Sequence, residues 1–265
     1  MSILQEKYYI ECEDGFRLHG IINSNGKVII PAKYKEIQID HINHRYFAKD
    51  ELKYYCFDKV GNMICELPFS NIVIEQFNNQ TYITTIKEIE IETDLEWDSY
   101  TIEKVGLLDK DCNTIIPQEY NLIKVGVKYI ALLGGEMVHE ESEYDGHLNS
   151  SYIEEYFTIS GSLWGIVDFQ HRSVIPFEYT WIEFTGNDEY FLVNKNGQIF
   201  YLEVWQDGGY YYVKNGKWGI INSNNEIILP IEFNVFAKGE GQLLFQKSEN
   251  DKFDTSLPFE VFDLH

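Results

Sequence analysis

Short apolar runs separated by polar turns recur along the chain, and no segment sustains the 3.6-residue period of an amphipathic helix. Four stretches align without gaps: Gly20 to Tyr34, Gly106 to Tyr120, Gly165 to Tyr179 and Gly219 to Phe233. In each, two apolar residues follow the glycine. Asn or Asp stands third after it (Asn23, Asp109, Asp168, Asn222), proline eleventh and an aromatic fourteenth. Two weaker copies lie between them. Tyr55 to Pro68 keeps Asp58 and Gly61 but has two extra residues before its proline, and Phe191 to Phe200 keeps Asn194 and Gly197 without the proline. Self-similarity with fixed offsets is the signature of a repeat architecture.

The pattern predicts antiparallel hairpins. The residues after glycine form a short strand, and the Asx side chain opens the turn by bonding nearby backbone. The sixth place after glycine holds Gly26, His171 or Asn225, which tolerate positive φ and suit a type I turn with a G1 bulge. Cys112 breaks that pattern, and Asn113 beside it is expected to take the left-handed role. The second strand is expected to stop at the proline, which has no N–H to donate. Asp14-Gly15, Ser160-Gly161 and Asn215-Gly216 read as further hairpin turns upstream, so a unit holds about four strands, as in 210–213, 218–222, 226–229 and 233–237. The fold class is all-β, a single domain over 1–265 of tandem antiparallel β-meander repeats. The array is expected to be either a propeller-like ring or an open, twisted β-solenoid. In a ring, the strand-like tail at 259–264 would complete the first unit.

Lys217-Trp218-Gly219-Ile220-Ile221-Asn222, and less closely Leu163-Trp164-Gly165-Ile166-Val167-Asp168, resemble the unit of the WG-repeat (KWG-repeat) family of bacterial proteins. His19 and Val105 stand where that unit usually has tryptophan. The resemblance spans most of the chain. It implies WG-type meander repeats of the kind used as interaction scaffolds, and it brings no catalytic residues with it.

Charge narrows the partners. Asp and Glu number 43 against 21 Lys and Arg, a formal net charge of −22, so phosphate backbones and anionic membranes meet a repulsive field while a basic protein or a cation meets an attractive one. No apolar run approaches the roughly 20 residues of a spanning helix, and the segment from Met1 to Tyr9 lacks the basic start and apolar run of a signal peptide. Cys12, Cys56, Cys65 and Cys112 show no CxxC spacing and read as buried, reduced thiols. A cytoplasmic location is expected from these features together.

Two acidic segments stand outside the repeat. Glu88, Glu90, Glu92, Asp94, Glu96 and Asp98 alternate with Ile89, Ile91, Thr93, Leu95 and Trp97, so an extended backbone puts the acids on one face. Glu140, Glu141, Glu143 and Asp145 fall in an acidic insertion at about 134–150, in the longest stretch between clear copies without a recognisable repeat, which reads as a surface loop. These ten residues are the candidate partner-binding set. The pairs His41 with His44 and His139 with His147 lack a third ligand, and no nucleophile, phosphate-loop or dinucleotide motif is present, so neither metal nor cofactor is expected and the chain reads as a non-enzyme. The expectation is a protein-binding repeat protein, in its sharpest form an immunity or antitoxin-like protein that neutralises a basic bacterial toxin. The alternative is a carbohydrate or small-ligand binder that stacks sugars on Trp164, Trp181, Trp205 and Trp218.

Overall fold

The structure is a computed structural model, and it describes residues 5–11, 17–92, 99–146, 150–161, 163–204, 208–248 and 252–264. Five of the six copies build their turn in the same way, and in the Phe191 copy Asn194 lies within a continuous strand instead. The Oδ1 atom of Asn23 accepts the backbone N–H groups of Asn25 and Lys27 at 3.0 and 2.9 Å. Asp58, Asp109, Asp168 and Asn222 do the same for the residues two and four places on, all at 2.8–2.9 Å. The residue three after the Asx donates to the Asx carbonyl and lies at positive φ: Gly26, Gly61, Cys112, His171 and Asn225. Cys112 therefore takes the left-handed position itself (φ 67°), not Asn113. One side chain thus satisfies two turn donors that an apolar residue would leave to solvent.

The glycine and the proline belong to one device. In three of the copies the pairs Ile21↔Ile30, Ile166↔Ile175 and Ile220↔Leu229 are followed by His19↔Tyr34, Trp164↔Tyr179 and Trp218↔Phe233. Four residues on the outer strand thus face two on the inner one, and the extra residues bulge over the glycine. A Cβ on Gly219 would stand 2.7 Å from Ile231 Cα and from the Leu229 carbonyl, and one on Gly165 would stand 2.7 Å from the Phe177 ring. The proline sits in this bulge, where a ladder N–H is not needed. The second strand therefore does not stop at proline; it continues to the aromatic. In the weaker copy the pairing is regular from Cys56↔Cys65 to Tyr54↔Leu67, and its two extra residues carry Pro68 past the strand end.

Every pairing whose register is described is antiparallel. The first sheet is β1 (Gln5–Glu11), β2 (Arg17–Asn23) and β3 (Val28–Tyr34). The second is β4 (Glu36–Asp40), β5 (Arg45–Lys49), β6 (Tyr54–Phe57) and β7 (Met63–Leu67). The third is β8 (Asn71–Phe77), β9 (Gln80–Glu92), β10 (Ser99–Asp109) and β11 (Thr114–Tyr120). In the fourth, β12 (Leu122–Val125) and β13 (Tyr129–Leu133) precede an inserted hairpin, β14 (Glu136–Gly146) and β15 (Ser150–Ser160). Then β16 (Trp164–Asp168) and β17 (Ser173–Tyr179) complete the order β12-β13-β16-β17. The fifth meander is β18 (Trp181–Phe184), β19 (Tyr190–Val204), β20 (Gly208–Asn222) and β21 (Ile227–Phe233), with β15 paired to β19. The last sheet is β22 (Val235–Lys238), β23 (Gln242–Gln246) and β24 (Glu260–Asp263).

The four-stranded meander expected from the sequence is present, with a shifted phase. In the four clear copies the last strand ends at the aromatic, so Phe233 closes β21 and Val235 opens the next sheet. Asn215-Gly216 is not a hairpin turn. It lies within β20 opposite Asn196-Gly197 of β19, and Asn196, Asn215 and Gly216 all have positive φ. Ser160-Gly161 links strands of two different sheets, and Asp14-Gly15 lies outside the described residues between the paired β1 and β2. The C-terminal strand β24 pairs with β23 and so completes the last sheet, not the first.

Contacts divide the chain into two compact units, 1–119 and 120–265. In the first, Tyr46 and Ala48 of β5 join Ile21, Ile30 and Tyr34 in one apolar cluster. Phe47, on the opposite face, joins Tyr54, Cys56, Leu67, Ile72, Ile83 and Leu108 in another. Alternation along the strand thus buries both faces of the sheet. In the second unit one larger cluster is centred on Trp164, Tyr179, Trp181, Phe191, Phe233 and Phe245.

Candidate functional site

The insertions share one topological position. In the third, fourth and fifth meanders the connection from the second to the third strand is extended, as the ends of β9 and β10, as the β14–β15 hairpin, and as the ends of β19 and β20. Seven of the ten candidate acidic residues, Glu88, Glu90, Glu92, Glu140, Glu141, Glu143 and Asp145, fall in the first two of these arms.

In the β9–β10 arm the last residue of β9 paired with β8 is Ile86, opposite Asn71; beyond it β9 runs on with β10, from Lys87↔Lys104 to Glu92↔Ser99. Glu88 and Glu90 are exposed, and between them Ile89 is half-buried opposite the buried Ile102, as strand alternation requires. Asp94, Glu96 and Asp98 lie outside the described residues, and Glu92 lies on the strand at Ser99. Glu88 faces Glu103 directly across the ladder. Partial desolvation, then the charge of Glu88, raises the Glu103 carboxyl above its usual range.

This pair has a measurable consequence. Like charges directly opposite destabilise a sheet, here by a few tenths of a kcal/mol because Glu103 is exposed and screened. The folded chain holds the Glu103 proton more tightly than the unfolded chain. The penalty is therefore complete above the raised folded value and fades as pH falls toward the ordinary glutamate value. Glu88→Lys is expected to raise the denaturation midpoint at pH 7, and Glu103→Gln is expected to flatten this local gain on acidification. A midpoint unchanged or lowered in both variants would show that the two carboxylates do not interact.

The acidic insertion is a hairpin, not a loop. β14 and β15 pair from Glu136↔Ser160 to Gly146↔Ser150, which sets Glu140 opposite Tyr156, Glu141 opposite Glu155, Glu143 opposite Ile153 and Asp145 opposite Ser151. The hairpin is anchored by Phe157↔Tyr201 and Thr158↔Phe200 to the β19–β20 arm.

That third arm was not singled out from the sequence, and it carries an aromatic ladder. Phe200 stacks on Tyr212 at 5.4 Å and 18°, Tyr201 meets Tyr211 at 4.8 Å, and Tyr210 lies 5.7 Å from Tyr212 with half of its surface exposed. The Lys214 ammonium stands 5.0 Å from the Phe200 centroid and 5.5 Å from that of Tyr212, so these rings already attract a cation. The legible signal was Ile199-Phe200-Tyr201 and Tyr210-Tyr211-Tyr212 flanking a short gap.

The tryptophans sit elsewhere. Trp164, Trp181 and Trp218 are 0, 8 and 9% exposed and belong to the core of the second unit, so they offer no sugar-stacking face; Trp205 lies outside the described residues. The histidine pairs gather no third ligand among the described residues, whereas three cysteines do come together. The Sγ atoms of Cys56, Cys65 and Cys112 all lie within 4.8 Å of one another. Hydrogen bonds with Cys112 and then with Cys56 pull the Cys65 thiol down to about 4, while bonds with Cys56 and then Cys65, together with burial, push Cys112 up.

Comparison with known proteins agrees with the hairpin geometry. A family model described as "WG containing repeat" matches residues 20–39, 164–198 and 218–236, three regions that include the strongest copies of the motif. No curated protein sequence matches the chain. One solved structure, described as a crystal structure of the eukaryotic initiation factor, is similar over 97% of this chain and 71% of that one, with 10% identity and a TM-score of 0.33. That likeness is too low to carry an argument about fold or function.

Proposed function

Proceeding from a repeat protein with WG-containing units, we propose that the chain is a non-catalytic binding protein that captures a basic protein partner on its extended hairpin arms. The observation that carries this reading is the arm chemistry within a chain of net charge −22: exposed Glu88 and Glu90 on one arm, acidic β14, and a tyrosine ladder that already holds a lysine. Carboxylates draw a Lys- or Arg-rich surface from a distance, and within the second unit the aromatic faces of the β19–β20 arm attract such cations at contact. Nucleic acid and membrane surfaces are not partners in this reading. In its sharpest form the partner is a basic toxin and the chain its immunity or antitoxin-like protein, acting in a bacterial cytoplasm.

Association kinetics with the partner recovered from the source cells test the proposal. Steering of this kind gives association rates up to about 10⁸–10⁹ M⁻¹s⁻¹ at low salt, falling steeply as salt screens it. Glu88→Lys combined with Glu90→Lys is expected to slow association and to reduce the salt slope, with dissociation little changed. A rate independent of salt, or unaffected by the double variant, rejects the acidic arm as the docking element. Rescue of growth when the chain is co-expressed with the partner separates the toxin-neutralising form from simple binding.

A further inference from the structure

We infer that Cys56, Cys65 and Cys112 form a binding site for a thiophilic d¹⁰ cation of the zinc class, held by three thiolates with one position left to solvent. The inference is independent of the arms and of any partner. Its first support is geometry. The three sulfurs come from β6, β7 and the β10–β11 turn, all within the first unit, and lie within 4.8 Å of one another. Thiolates bound to zinc at 2.3 Å in tetrahedral directions stand about 3.8 Å apart, so the trio needs to contract by no more than about 1 Å.

The repeat supplies its own control. The register positions of Cys56 and Cys65 are held in the strong copies by Ile21 and Ile30, Leu107 and Ile116, Ile166 and Ile175, and Ile220 and Leu229. All eight of these are buried aliphatics, which is what a cross-strand core pair needs. Only the second hairpin replaces the pair with two thiols.

The third departure lies in the next turn. Its left-handed position is Gly26, Gly61, His171 or Asn225 elsewhere, residues that reach positive φ readily, yet here a cysteine is held at φ 67°. A strained residue kept at a turn that glycine would satisfy points to a role for its side chain. In the second unit the corresponding side chain meets the aromatic of the preceding hairpin. His171 contacts Tyr120, and Asn225 accepts a hydrogen bond from Tyr179 Oη at 2.7 Å. Before Cys112, the place three residues after Pro68 is Asn71 rather than an aromatic, and the turn residue meets the cysteine pair instead. Three departures from the repeat thus converge on one point.

The surroundings suit a bound cation. Cys56 is fully buried while Cys65 and Cys112 are half-buried, so the site has an apolar floor and a side open to solvent. Three thiolates around a divalent ion leave one net negative charge. Arg45, which donates to the Lys110 carbonyl and to Asp111 beside Cys112, puts a guanidinium near that charge.

The test uses the full chain, reduced and stripped of metal, titrated with Co²⁺. One equivalent is expected to produce thiolate-to-cobalt charge-transfer absorption and tetrahedral visible bands, which Zn²⁺ then displaces while raising Tm. Cys112→Gly removes one ligand and relieves the backbone, so it folds at least as well as the parent. It is expected to bind roughly 10- to 100-fold more weakly or not at all. Cys56→Ser and Cys65→Ser lose the signal too, and Cys12→Ser retains it. Absence of a stoichiometric cobalt spectrum overturns the site, as does a spectrum unchanged in Cys112→Gly. A chain that stays two hydrogens lighter through a Cys56–Cys65 disulfide in reducing buffer also overturns it.

Discussion

Trp164→Ala is expected to destabilise the protein by about 3–5 kcal/mol, enough to remove a large part of the stability of a single domain. The indole is fully buried and meets Trp181 edge-on at 5.4 Å, and the Lys124 ammonium lies 4.7 Å from one ring centroid and 4.4 Å from the other. Deleting it leaves a cavity and also strips a partly buried cation of one of its two aromatic faces. Burial lowers the Lys124 pKa, and the 2.7 Å pair with Glu183 works against that. Trp164→Phe is expected to cost much less, because the indole N–H is buried without an acceptor among the described residues and removing it loses no hydrogen bond there. Urea unfolding of the two variants gives the comparison. Equal losses in both would mean that the ring volume does not hold this core together.

The next largest effect is expected at the repeat glycine. Gly219→Ala places a methyl 2.7 Å from Ile231 Cα and from the Leu229 carbonyl, both backbone, so the bulge must open, at about 1–3 kcal/mol. Gly106→Ala meets backbone at 3.0 Å and is expected to cost clearly less. Matched denaturation curves rank the pair. The reverse order would mean that the bulge does not press on the glycine.

Much of the fold is legible in the chain because its determinants are local. An Asx side chain bonding two N–H groups within four residues needs no distant partner, so Asn23, Asp58, Asp109, Asp168 and Asn222 declare their turns in the sequence. The all-β class and the four-stranded meander follow from the same spacing. Where the reading failed, a residue had two readings that only pairing separates. Asn215-Gly216 is turn chemistry by composition, yet the ladder from Tyr190↔Asn222 to Val204↔Gly208 carries it through as part of one long strand. Proline can end a strand or sit in a bulge, and the bulge was chosen by the partner strand.

The candidate sites divide along the same line. Alternation along β9 was readable, and Glu88 and Glu90 are exposed as it requires. That the β14 acids stand on a hairpin anchored to β19 depends on pairing between residues far apart in sequence. The cysteine trio depends on it still more, since Cys56, Cys65 and Cys112 show no ligand spacing along the chain. By itself the sequence determined the turn, the strand class and the sign of the charge, because each arises within a few bonds of backbone. Tertiary structure alone decided which strands are neighbours and which side chains converge, because those contacts are closed by core packing between sheets.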